Sequence, residues 1–184
     1  MKYDLPAHCQ LIEVHVADLK QLFHSLDPTP FRERDLDPKA EEFIAGWARE
    51  LDADKPLGLV VHIDRELPTP DQVKTLQDAV REYFGERAAE TRRRLRQLLR
   101  VGRTSLIIGL LFLTASVLTG DLIASMLGET RFGGIARESL LIGGWVAMWR
   151  PLEVFLYDWW PIRAEARLMD RLSAMAVRVV PSRT

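Results

Sequence analysis

A single cysteine, Cys9, is present in the 184 residues. That excludes an intrachain disulfide framework and fits a reducing compartment. Lysine is scarce too, with five residues against 20 arginines, and the net charge is -1. A chain that binds nucleic acid along its length needs a surplus of cations for phosphate contacts, so no nucleic-acid partner is expected. The sequence has no G-x-S-x-G, P-loop, G-x-G-x-x-G or H-E-x-x-H pattern. These are the signatures of a nucleophile elbow, a phosphate cradle, a dinucleotide loop and a zinc protease. The expectation is therefore a protein that is not an enzyme and uses no cofactor. His8, Cys9, His15, His24 and His62 match no standard zinc spacing, and no metal site is expected. No apolar stretch follows Lys2, which argues against a cleaved secretory signal.

What is present divides into two unlike regions, which a mean hydropathy of -0.06 averages away. In 10–17, Ile12, Val14 and Val16 alternate with Glu13 and His15, the period of a half-buried strand. Asp18 is placed to cap a short helix carrying Leu19, Leu22, Phe23 and Leu26. A second helix opens with Asp37 as N-cap and Pro38 in the first turn. Its expected apolar face is Ala40, Phe43, Ile44, Trp47 and Leu51. Leu57, Leu59, Val61 and Ile63 mark another strand. Thr69-Pro70-Asp71-Gln72 is a capping-box pattern ahead of a long helical run, in which Val73, Leu76, Val80, Tyr83 and Phe84 face a sheet. The fold class predicted is α+β: a cytoplasmic β-α-α-β-α domain over 1–100, a transmembrane helical hairpin over 101–162, and a tail over 163–184. In the tail, 176–180 reads as a short strand returning to the sheet.

The hairpin rests on two segments. Residues 104–120 carry no charge, and nine of them are Leu, Ile, Phe or Val. On an insertion scale these contribute about -4 kcal/mol. Extended to 127, the segment is long enough for the ~30 Å hydrocarbon core. The second segment, 138–160, is charge-free only over 139–149. To cross, it must carry Arg150 near the midplane, at a cost of about 2.5–3.5 kcal/mol. Glu153, one turn on, is placed to offset part of that. Arg92, Arg93, Arg94, Arg96, Arg100 and Arg103 precede the first span, and Arg163, Arg167 and Arg171 follow the second. The positive-inside rule then places both ends in the cytoplasm. The same basic run is placed to meet anionic lipid headgroups. Trp159, Trp160 and Tyr157 suit an interfacial belt, with Pro161 ending the helix.

Two further features bear on function. Ser116, Gly120, Ala124 and Gly128 recur every four residues, a small-residue ridge that lets another helix approach closely, and Gly143 and Ala147 share the spacing. The partner of the ridge is either the second span or another subunit, so a homo-oligomer or other membrane-protein subunits are expected partners besides lipid. Arg150, Glu153, Asp121 and Asp158 form a candidate intramembrane charged cluster. A structural ion pair is its first reading, and a polar path through a channel or transporter subunit its alternative. Pro151 is expected to kink the helix beside it.

The stretch RESLLIGGWVAMWRPLE at 137–153, continuing to Tyr157, Asp158, Trp159, Trp160 and Pro161, resembles a family of uncharacterised bacterial two-span membrane proteins. So does FRERDLD at 31–37. The resemblance implies a bacterial inner-membrane location and no known activity.

Overall fold

Every residue of the strand β2 (Leu57–Ile63) is buried except the half-buried His62. This burial follows from its place between two neighbours in the sheet order β1-β2-β3, where β1 is Gln10–Val16 and β3 is Ala176–Pro181. Both pairings are parallel, and one row runs Ile12, Leu59, Val177. The computed structural model describes residues 9–23, 36–64, 68–127 and 130–182. Its architecture is α+β, a small three-stranded sheet with long helices.

Parallel strands cannot be joined by tight turns and need crossovers. Among the described residues, the first crossover, from β1 to β2, contains a 3-10 turn at Leu19–Leu22 and the helix α1 (Pro38–Glu50). The second, from β2 to β3, contains α2 (Pro70–Leu127), α3 (Arg131–Glu153), a π turn (Val154–Asp158) and α4 (Trp159–Ser173). The whole apolar part of the chain is thus spliced into one crossover. The chain divides into two compact units accordingly, one of 1–91 with 164–184 and one of 92–163. Residues read from sequence as a separate tail supply Leu168, Met169, Leu172 and Val177 to the core of the first unit. Each unit is described by itself below.

In the first unit, local signals set the helix starts. The Asp37 carboxylate accepts from the Lys39 amide at 2.9 Å, with Pro38 in the first turn where no N–H is required. The Thr69 amide donates to Gln72 Oε1 at 2.9 Å, and the Gln72 amide donates to Thr69 Oγ1 at 3.4 Å, a reciprocal capping box. Leu76, Val80 and Phe84 of α2 then join Ile12, Leu59 and Val61 in one core.

Two expectations are corrected here. The helix expected after Asp18 is only a 3-10 turn; Leu19, Leu22 and Phe23 are buried, and Leu26 lies outside the described residues. The buried face of α1 is Ile44, Ala45 and Ala48, whereas Phe43 and Trp47 are 45% and 49% exposed. The helix turns its small residues inward, since alanines let it lie close to the sheet. The two large rings stay outside, 6.2 Å apart.

α1 and α2 are also clamped by a polar cluster. The Tyr83 hydroxyl donates to Glu41 Oε2 at 2.6 Å, and Arg87 Nη2 donates to the same oxygen at 3.1 Å. Burial first, and then the bond to the Glu41 carboxylate, pushes the Tyr83 phenol up to about 12. A raised folded-state value stabilises the fold below the unfolded value of 10 and loses that contribution as pH climbs to about 12. Tyr83 is therefore expected to ionise well above the usual tyrosine range. An alkaline ultraviolet titration checks this: a step near pH 12 should vanish in Tyr83→Phe, and a step unchanged in that variant contradicts the assignment. Arg171 closes the far side of the unit, donating to the carbonyls of Asp52 and Lys55 at 2.6 and 3.0 Å. The Asp52 carboxyl is held below its usual range by the Asp54 amide and by Lys55.

Candidate functional site: the apolar hairpin

The second unit is an antiparallel pair formed by the later part of α2 and by α3. Opposed neighbours descend in order: Gly102 faces Val154, Gly109 faces Ala147 and Met148, Gly144 faces Leu113 and Ser116, and Gly120 faces Arg137. The buried small residues on α2 within this unit are Gly102, Gly109, Ser116 and Gly120, and on α3 the buried positions include Gly133, Gly144 and Pro151. Three of these, Gly102, Gly109 and Ser116, fall seven residues apart. This is a 3.5-residue seam of the kind that winds two helices around each other. A Cβ built on Gly109 would stand 3.1 Å from the Ala147 carbonyl oxygen, so the backbones meet there directly.

The expected ridge is therefore partly redrawn. Ser116 and Gly120 pack against α3 of the same chain, so those two need no second subunit. Ala124 is only half-buried, and Gly128 lies outside the described residues. Gly143 has no neighbour within 4 Å of an added Cβ, because the adjacent Gly144 takes the seam position. Gly102, Gly109 and Gly144 were missed, since a four-residue spacing was sought where a seven-residue one operates.

The outward surface is apolar. Ile108, Leu111, Phe112 and Leu118 on α2, and Phe132, Ile142, Trp145 and Trp149 on α3, are all more than half exposed. Two hydroxyls in this region are satisfied along their own helix: Thr114 Oγ1 donates to the Leu110 carbonyl at 2.8 Å, and Ser125 Oγ to the Leu122 carbonyl at 2.7 Å. Such internal bonding is what an environment without water requires. Two helices are long and apolar enough to cross a membrane, and only 17% of each apolar window is buried. A helix from the core of a soluble protein would be mostly buried.

Charges lie in two layers. Arg137 Nε meets Asp121 Oδ1 at 2.9 Å near the hairpin's turn. Arg150 Nη1 meets Glu153 Oε2 at 2.7 Å and Asp158 Oδ2 at 3.1 Å near α4. The Arg150–Glu153 pairing is as the spacing suggested; Asp121 belongs to the other layer and pairs with Arg137. Arg150 lies away from the middle of the helix pair. Helix α3 begins at Arg131 because the Thr130 hydroxyl accepts from the Gly133 amide, which lengthens the apolar helix at its start. Gly144 then sits opposite Leu113, near the middle of the charge-free run 104–120. Arg150 lies six residues further along, about 9 Å towards α4. Its side chain is 62% exposed, so it does not point into the seam.

Pro151 cannot donate a backbone hydrogen bond, and the helix widens into the π turn three residues later. The Val154 amide is shared between the carbonyls of Arg150 and Pro151. The Trp159 indole donates to the Phe155 carbonyl at 2.8 Å. Pro161, expected to end the helix, instead sits in the first turn of α4, where a missing N–H is tolerated. Arg163 lies 5.5 Å over the Trp159 ring, and Tyr157 and Trp160 are exposed beside it. Arg92, Arg93, Arg94, Arg96, Arg100 and Arg103 are all exposed on α2 ahead of the charge-free run.

Comparison with protein-family models, with curated proteins and with solved structures returns no match. The hairpin's own chemistry carries the functional argument. Arg150→Leu is expected to strand Glu153 and Asp158 and to lower membrane integration in an extraction assay. The triple variant Arg150→Leu, Glu153→Leu, Asp158→Leu should recover it, because unpaired charge is the main cost in an apolar phase. A triple variant no better than the single one contradicts that role.

Elsewhere, His15 and His62 are register partners with rings stacked at 4.3 Å, and Glu13 lies 3.3 Å from His62 Nε2. Among the described residues no group of three or more His, Cys, Asp or Glu side chains is arranged to hold a metal ion. His8 and His24, like residues 31–35, lie outside the described residues.

Proposed function

We propose that this chain is a non-enzymatic integral membrane protein whose helical hairpin crosses the bilayer and presents the α+β unit as an interaction module. The observation that carries the reading is the pair of apolar helices with 17% burial and large aliphatic and aromatic side chains turned outward. Ion pairing within both charged layers supports it, because a neutralised pair enters an apolar phase at lower cost than a lone charge. The pairing of Arg150 with two carboxylates favours a structural role over a conducting path.

Both flanks of the hairpin enter one sheet-containing unit, which supports an even number of crossings. The exposed arginines at 92–103 support a place for that unit at the cytoplasmic face of a bacterial inner membrane. Self-association and the recruitment of other membrane subunits belong to the same proposal. They would use hairpin surface left free by the seam, such as the open face at Gly134 and Gly143. Alkaline carbonate extraction of membranes from an expressing bacterium tests the reading. The chain is expected in the pellet, and its release into the supernatant contradicts membrane integration.

A further inference from the structure

Next to the Asp121–Arg137 pair, the two helices enclose a small pocket walled by Ser116, Asp121, Arg137 and Glu138, with Val117 and Leu141 as its apolar sides. Ser116 is only 5% exposed, and its side chain forms part of the pocket wall. The seam forces Ser116 into this position, since its Cβ packs 3.4 Å from the site of a Cβ on Gly144. The Glu138 carboxylate is exposed and has no ion-pair partner among the described residues. Among the described residues, Arg137 donates to Asp121 through Nε alone, which leaves donors on its two Nη groups. Among the described residues, one pocket therefore offers a carboxylate without an ion pair and a hydroxyl beside guanidinium donors that Asp121 does not take.

That combination is complementary to a molecule with a primary ammonium next to a phosphate. The ammonium donates to Glu138 and Ser116, while the guanidinium fork accommodates the phosphate oxygens. A trimethylammonium group has no N–H and leaves the first two acceptors unmet. Resting on the membrane reading above, we propose that this pocket binds the headgroup of an aminophospholipid in the leaflet at the hairpin's turn. Its depth fits, since Asp121 lies six residues, about 9 Å of helix, from the end of α2 at Leu127. That places the pocket near the boundary of hydrocarbon and headgroups.

The test is native mass spectrometry of the purified full chain in detergent, titrated with phosphatidylethanolamine or phosphatidylcholine of identical acyl chains. Retention of phosphatidylethanolamine should exceed that of phosphatidylcholine roughly tenfold, the scale of one charge-assisted hydrogen bond. Glu138→Gln and Ser116→Ala should each reduce that preference, and Glu138→Gln, at an exposed position, should leave the fold intact by circular dichroism. Equal retention of the two lipids, or a preference unchanged in both variants, overturns the proposal. Soluble phosphoethanolamine should compete only weakly; binding as tight as the lipid's would make the soluble headgroup the ligand and overturn the lipid assignment. Integration into vesicles of both compositions without lipid preference refutes only this site. Failure to integrate into either refutes the membrane reading beneath it.

Discussion

Gly109→Leu is expected to disrupt the hairpin more than any other single change in it. A Cβ at this position already approaches the Ala147 carbonyl oxygen and Met148 Sδ to 3.1 Å each. The sulfur sits on a flexible side chain and can move, but the carbonyl belongs to a helix backbone and moves only with the helix. Overpacking of a closed interface costs about 1–3 kcal/mol, and the three carbons beyond Cβ put this variant at the upper end or above. Gly109→Ala should cost less, since a shift of a few tenths of an ångström accommodates one carbon. Unfolding in sodium dodecyl sulfate, followed by tryptophan fluorescence, measures both variants. A Gly109→Leu midpoint equal to the wild type contradicts the seam. Gly143→Leu is the matched control, because open space surrounds that glycine.

Phe84→Ala is expected to be the most damaging core truncation in the sheet-containing unit. The ring is fully buried, meets Tyr83 edge-on at 5.4 Å and belongs to the cluster that joins α2 to the sheet. Truncating a buried phenylalanine costs about 3–5 kcal/mol, against a total stability of about 5–15 kcal/mol for an ordinary domain. Thermal denaturation followed by circular dichroism should show a large drop in midpoint for this unit. Trp47→Ala, at a half-exposed position on α1, should change stability by no more than about 0.5 kcal/mol. Were Trp47→Ala the more damaging of the two, the assignment of the inner face of α1 would be wrong.

These contrasts also show which features were legible in the sequence. Helix starts at Asp37 and Thr69 were, because a capping residue and its amide lie within three positions of each other. The strands at β1 and β2 were legible through alternating Val and Ile, and the apolar run at 176–180 through its β-branched residues. Less local features were hidden. Parallel pairing is decided by crossovers of dozens of residues, so no pattern within a strand reports it. The inward face of α1 depended on how close the helix lies to the sheet, and hydrophobicity alone favours Phe43 and Trp47 over Ala45 and Ala48. In the hairpin, the second segment expected from sequence starts at 138, whereas the Thr130 cap starts α3 at Arg131. The position of Arg150 along the helix follows from that boundary. The pocket at Ser116 depends on the pairing of two helices and has no signature along either.

The most direct test of the central claim, a crossing hairpin spliced into one crossover of the sheet, is labelling by a membrane-impermeant maleimide in bacterial spheroplasts. Single cysteines are placed at Lys74, Thr130 or Arg167 in a Cys9→Ser background. The account predicts labelling at position 130 alone in intact spheroplasts, with 74 and 167 labelled only after lysis. Labelling of all three positions in intact cells, or of none before lysis, would contradict a hairpin that crosses the membrane with both flanks inside.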